Sequence, residues 1–233
     1  MMKKNGFTLA EVLITLAIIG VVASLTLPAL LSNTGEQQAI TAFRKAVNTL
    51  SEAGQMSSAI DGFDYSTVNT TVPDFTSAKT LNTNGETNQD IFGLLTSKTN
   101  VNLTLTRAAK KGTDIKGTAT GSTNSSKCSN STADVYNIFF NDGTALCYVA
   151  RTGTGTDSAS LAWIDINGTK APNTPFSCTD TQCTASKKTA GDQFAVTLHG
   201  STVVLGHVTF TDGVPADAGT AAYNNAARWA MKK

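Results

Sequence analysis

Three groups of residues in this sequence have types and spacings that could do chemistry. Glu11 is the only acid in an otherwise apolar stretch that follows Lys3 and Lys4. Cys128, Cys147, Cys178 and Cys183 form an even set in the second half of the chain, with the only two histidines, His199 and His207, downstream. Asp165, Asn167 and Thr169 alternate oxygen-bearing side chains around Asn167-Gly168, and Asp192 lies just before a further apolar run. A carboxylate at membrane depth costs up to about 2.5–3.5 kcal/mol, so Glu11 is expected to have a function. An even cysteine count suits disulfides in an oxidising compartment. Sequence neighbours suggest Cys128–Cys147 and Cys178–Cys183, while the other pairings stay open. Cys178 and Cys183 with the two histidines loosely echo a zinc site, but the histidines are further apart than in a zinc finger. For the oxygen-rich stretch the alternatives are a calcium loop and a tight turn. Calcium takes about six to eight oxygens, and only Asp165, Asn167 and Asp192 offer carboxylate or amide ligands. Asn-Gly is also a strong turn signal. No serine elbow and no phosphate-binding glycine loop occurs, and neither histidine stands beside an acid in sequence, so no enzyme activity is expected.

The elements that must position these groups are written in the hydrophobic pattern. Val12 to Leu31 contains no charge, and as a helix those residues cover about 30 Å, the depth of a bilayer's hydrocarbon. A secretory signal cut after Ala23 and a plain signal anchor would both use such a run, but neither accounts for Glu11. Beyond it Ala39, Phe43, Ala46, Leu50 and Ala53 step by three and four, with Ile40 and Val47 widening the stripe; this predicts an amphipathic helix. From Asp61 the chain is rich in Thr, Ser, Asn and Gly. Residues 61–90 read as a connecting loop with a short helix near Gln89 to Thr96. Strands are expected at VNLTLT (from Val101), VYNIFF (Val135), ALCYVA (Ala145), LAWIDI (Leu161), FAVTLH (Phe194) and VVLGHVTF (Val203), with Asn141-Asp142-Gly143 as a hairpin turn. The last residues, AAYNNAARWAMKK, read as a short helix or a loose tail. Net charge is +1 and 15% of residues are charged, so no basic surplus announces nucleic acid. Lys110, Lys111 and Lys116 form only a modest cluster, and no clear nucleic-acid site is read.

The string GFTLAEVLITLAIIG, with its lysine flank, resembles the N-terminal signature of type IV prepilins and the pseudopilins of type II secretion. The resemblance covers about the first thirty residues. It implies that a prepilin peptidase cuts between Gly6 and Phe7 and methylates Phe7, and that Glu11, fifth in the processed chain, meets the N-terminal amine of a neighbouring subunit during assembly. Gly20 and Pro28 fall where such proteins carry helix-weakening residues. Gly lowers helix propensity by about 1 kcal/mol against Ala, and Pro removes a backbone donor. Asp165-x-Asn167-Gly168, continued by Asp192 and Phe194, also resembles a pattern in the heads of pilin-like proteins, some of which hold calcium there; no other cofactor is implied.

The fold implied is α+β, a long N-terminal helix packed on an antiparallel sheet. Its expected parts are a leader (1–6), a transmembrane and polymerisation helix (7–31), an amphipathic helix (32–60) and a Thr-rich, β-rich head (61–233). The expected function is a structural subunit of a pilus-like or pseudopilus filament; the alternative is a minor pilin that binds a surface or DNA at the filament tip. The expected partners are the peptidase, other pilin or pseudopilin subunits, an inner-membrane assembly platform and membrane lipid. The precursor is expected to be a single-pass inner-membrane protein with its head outside the cytoplasm, destined for an extracellular pilus or a periplasmic pseudopilus.

Overall fold

The three-and-four stripe from Ile40 to Ala53 needs an apolar surface to cover it, and the strand segments supply one. A computed structural model describes residues 8–70, 90–108, 135–151, 155–168, 170 and 173–233. Helix α1 runs from Leu9 to Ile60, passing Gly20 and Pro28 without interruption. The chain divides into two compact units, Met1–Ala39 and Ile40–Lys233. In the first, the described residues are helical from Leu9 onward.

The second unit is an α+β head. Strands β1 (Val135–Phe139), β2 (Ala145–Val149), β3 (Ala159–Asp165), β6 (Gln193–His199) and β7 (Thr202–Leu205) form one antiparallel sheet in the order β1-β2-β3-β6-β7. Two small ribbons flank it: β4 (Ser177–Cys178) with β5 (Lys188–Thr189), and β8 (Val208–Thr211) with β9 (Val214–Asp217). Helices α2 (Ile91–Lys98), α3 (Leu103–Ala108) and α4 (Ala221–Lys232) complete the head. The period of two along each strand sorts side chains to two faces. Tyr136, Ile138, Leu146, Tyr148, Ala162, Ile164, Phe194, Val196 and Leu198 join Ile40, Phe43, Val47 and Leu50 of α1 in one core. Cys147, Trp163 and Ala195 lie in a second, smaller cluster with Phe139 and Ala145. Phe43 stacks on Phe194 with ring centroids 4.4 Å apart, and Phe176 stacks on the same ring at 5.2 Å.

Two expectations change. VNLTLT is not a strand: Val101 alone bridges Phe140, and the chain then turns into α3. The Asn102 side-chain Oδ1 caps that turn by accepting the Leu105 N–H at 3.1 Å, and Thr106 Oγ1 accepts the Phe139 N–H at 2.9 Å. Local side-chain capping thus overrides an alternating pattern. VVLGHVTF is two strands, because Gly206 takes φ +85° and leaves the sheet. Thr197 bridges the break, donating to Gly206 O and accepting from Val208 N, both at 2.8 Å.

The segment after α1 is tied down at several points. Tyr65 donates its buried hydroxyl to Leu50 O at 2.6 Å. Arg151 sends its guanidinium to the carbonyls of Tyr65, Ser66 and Val68, and Lys98 meets Asp61 at 2.8 Å. Gly54 allows the close approach: a Cβ there would stand 2.7 Å from Ser201 O and 2.7 Å from the Tyr65 ring. We expect Gly54→Ala to destabilise the head by about 1–3 kcal/mol through overpacking. Thermal unfolding of the detergent-solubilised chain measures it, and an unchanged midpoint would contradict the packing described.

Candidate functional site

Glu11 sits in the first turn of α1, and Thr8 precedes that helix. The Thr8 N–H and Oγ1–H both donate to Glu11 Oε2, at 2.7 and 2.8 Å, while the Glu11 N–H donates to Thr8 Oγ1 at 3.3 Å. This is a reciprocal capping box, in which threonine and glutamate three residues apart satisfy two otherwise orphaned N–H groups. The box fixes where the carboxylate points, and Glu11 Oε1 takes part in neither bond. Thr8 was not among the expected functional residues, although Thr-x-x-Glu before an apolar run is its sequence signature.

From Leu9 to Leu27 the helix is long and apolar enough to cross a membrane. Its large side chains are exposed, from Val12 at 45% to Leu9 at 81%, an extent that a protein surface in water does not present. The hydroxyls in this run are satisfied locally. Thr15 donates to Val12 O, Ser24 to Val21 O and Thr26 to Val22 O, at 2.8–3.0 Å. Such back-bonding lets hydroxyls sit in hydrocarbon. Gly6 and Phe7 lie outside the described residues.

In the head, Cys178 and Cys183 form a disulfide with Cα atoms 5.1 Å apart. Cys147 is also disulfide-bonded; Cys128 lies outside the described residues, as do Lys110, Lys111 and Lys116. The zinc alternative fails because these sulfurs are already bonded. Both histidines are also engaged elsewhere. His199 Nδ1 lies 3.1 Å from Ser158 O and 3.1 Å from Ser66 Oγ, and His207 Nε2 lies 3.0 Å from Ala162 O. Burial lowers the His207 pKa, with the Ala162 carbonyl acting in the opposite direction.

The oxygen-rich loop is brought together by the β3–β6 pairing, which sets Asp165 opposite Gln193. Asp165 Oδ1 accepts the Asn167 N–H at 3.1 Å, and Oδ2 accepts the Gln193 Nε2 amide at 3.0 Å. Asp192 Oδ1 accepts Thr174 N–H at 2.7 Å, while Oδ2 accepts Asn173 N–H at 2.8 Å and Asn167 Nδ2 at 3.0 Å. All four carboxylate oxygens are therefore held by amide donors, which closes the loop on itself. Among the described residues no group of three or more His, Cys, Asp or Glu could hold a metal ion. Asp165, Asn167 and Asp192, the three residues expected as calcium ligands, are brought together at one end of the β3–β6 pair. Thr169 lies outside the described residues. Gln193 and Asn173 were not expected from sequence; only the fold brings them to these aspartates.

With these geometries in view, comparison with known families adds one finding. Residues 1–27 match the prokaryotic N-terminal methylation motif. This is the signature of type IV pilins and pseudopilins. The motif supports a prepilin-like substrate of a prepilin peptidase. The apolar helix and the motif together fit a precursor anchored in the inner membrane. No curated protein and no solved structure matches the chain.

Burial raises the Asp165 pKa to about 7, with the Asp192 charge reinforcing the shift and the Gln193 amide opposing it. The folded head holds the Asp165 proton up to about pH 7, whereas the unfolded chain releases it near pH 3.8. This group's contribution therefore falls as pH rises between those values, by no more than about 4 kcal/mol. Asp165→Asn should flatten that part of the stability profile and make the head more stable than the parent at pH 8. Gln193 Oε1 is buried with no hydrogen-bond partner, so its amide can turn to accept from the new asparagine. Parallel slopes for the two proteins from pH 4.5 to 8 would contradict this assignment.

Proposed function

We propose that the chain is a subunit of a type IV pilus-like or secretion pseudopilus filament that polymerises through the first half of α1. The observation that carries this reading is the methylation motif lying on a helix with one fixed carboxylate and an otherwise exposed apolar surface. In lipid that surface is solvated by acyl chains, and in a filament it is covered by the same helix of other copies. Cleavage between Gly6 and Phe7 then leaves an α-amino group, cationic at neutral pH with an ordinary pKa near 8, and methylation keeps it basic. Glu11 is the only acid within reach along the apolar segment. Pairing the Glu11 carboxylate with the amine of a neighbouring copy offsets the burial cost of both charges, and it does so in one axial register. The capping box holds the carboxylate ready at the helix start, and Oε1 remains available for the incoming amine. Glu11 acts as an assembly ruler, with no catalytic role. The inner-membrane assembly platform supplies the site of addition.

Two measurements test this. Mass spectrometry of the N-terminus should find N-methylphenylalanine at Phe7; a chain beginning at Met1 or Ser24 would overturn the reading. Glu11→Ala, as the only copy of the subunit, should insert and be processed normally yet enter filaments at least about tenfold less, the loss expected for one unpaired buried charge. Incorporation equal to the parent would remove the pairing mechanism.

A further inference from the structure

Carboxylates gather beside one end of the head's central strand pair, and lysines gather on the ribbon and helix beyond the other end. Strands β3 and β6 pair over seven residues, with Ala159 opposite His199 at one end and Asp165 opposite Gln193 at the other. Those ends are about 20 Å apart at the usual strand rise.

At the Ala159 end, Asp157 accepts the N–H groups of Asp212 and Gly213 at 3.0 and 2.7 Å, which places the tip of the β8–β9 ribbon against the start of β3. Asp64 is joined to the same end through Ser66, whose N–H donates to Asp64 and whose hydroxyl donates to Ser158 O. Three carboxylates gather there, and the half-buried Arg151 beside Asp64 offsets one of them.

At the Gln193 end, Gln193 O accepts the Phe176 N–H at 2.8 Å, and two residues on Cys178 pairs with Lys188. Phe176 stacks on Trp229 of α4. The ammonium groups of Lys188 and Lys233 lie 5.6 and 4.9 Å from the Trp229 ring centroid, so two lysines from distant parts of the chain converge on one side chain. Lys187 and Lys232 are their exposed sequence neighbours. Asp180, in the Cys178–Cys183 loop, and the buried Asp165 and Asp192 at the strand end are the acids nearest these four lysines.

We infer that the lysine cluster around Trp229 is the docking surface for the Asp64–Asp157–Asp212 end of a second copy of this chain, so that heads join head to tail along a filament. This rests on the polymerisation reading above. A contact between unlike patches is heterologous and propagates without closing, which is the geometry an open filament needs. Both patches are on the same chain with opposite sign, so each added copy presents the next patch; a free polyanion would use only one. Exposed ion pairs are individually weak and screened by salt, so the contact selects orientation while the apolar helix supplies most of the cohesion.

A charge-swap experiment on the full chain in cells tests this, reading sheared filaments against the amount of processed subunit in the membrane. Lys187→Glu with Lys232→Glu should lower filament yield about fivefold, the equivalent of one or two surface pairs. At the other end, Asp212→Asn with Thr211→Lys reverses the ribbon tip, and asparagine keeps the left-handed turn at Asp212, where φ is +52°. That variant should show a similar loss, and all four changes together should restore yield. Parent yield from either reversed chain, or no restoration by the combination, would overturn the inference. If the lysine reversals instead abolish retention of a polyphosphate probe while filament yield is unchanged, the cluster serves a polyanion and the head-to-tail contact is refuted. Absence of filaments from the parent chain would be a different failure, that of the polymerisation reading itself.

Discussion

The buried contact between the stripe of α1 and the inner face of the five-stranded sheet is the interaction on which the head is built. Phe43 is fully buried against Phe194, and Ile40, Val47 and Leu50 extend the contact along the helix. Each such side chain contributes roughly 1.5–3 kcal/mol when taken from water. The short strands and two-residue ribbons of the head have little local stability of their own. The aromatic stack from Phe43 through Phe194 and Phe176 to Trp229 carries that contact across to α4. Arg44 reinforces it by donating its Nε–H to Ala230 O at 2.9 Å.

The same helix meets two different solvents, and its side-chain chemistry changes accordingly. In the membrane-length part, apolar side chains face outward and each hydroxyl bonds to its own backbone. In the head part, apolar side chains face one way and Lys45 pairs with Asp142 at the surface. The one charge retained in the first part is placed where the helix itself can hold it. The N-terminus of a helix carries a partial positive charge, which favours a carboxylate there, and the Thr8 N–H and hydroxyl add directed bonds. An acid further along the run would have neither. Position, more than residue type, makes Glu11 tolerable in an apolar helix.

Much of this was legible in the residues. The two halves of α1 were readable because their periodicity persists over many turns, and five of the six expected strand segments contain strands because their apolar runs are bounded by turn formers. Asn141-Asp142-Gly143 forms the expected turn, with Phe140 N–H bonded to Thr144 O. The misreading of VNLTLT has a local cause, the capping by Asn102. Strands β4 and β5 are two residues long, and β9 is exposed and contains Pro215, so none has a pattern to detect. Among the site residues, Glu11 was conspicuous as a solitary charge, and Cys178 and Cys183 were close enough in sequence to suggest their bond. The partners of the two aspartates were not legible, since Gln193 reaches back across 28 residues and Asn173 forward across 19. Contacts at that separation are set by strand register.

The clamp that Arg151 places on the carbonyls of Tyr65, Ser66 and Val68 has a mechanical consequence. In the filament proposed above, load reaches each subunit through its helix, and the chain that leaves α1 is the natural place for the head to peel away. Here that exit is gripped by a guanidinium rooted just beyond β2, while Tyr65 grips the helix at Leu50 and Lys98 grips its end at Asp61. Tension entering along α1 is therefore shared between the apolar face and several polar attachments that must fail together. Peeling one bond at a time is replaced by loading many in parallel, and rupture force rises with their number.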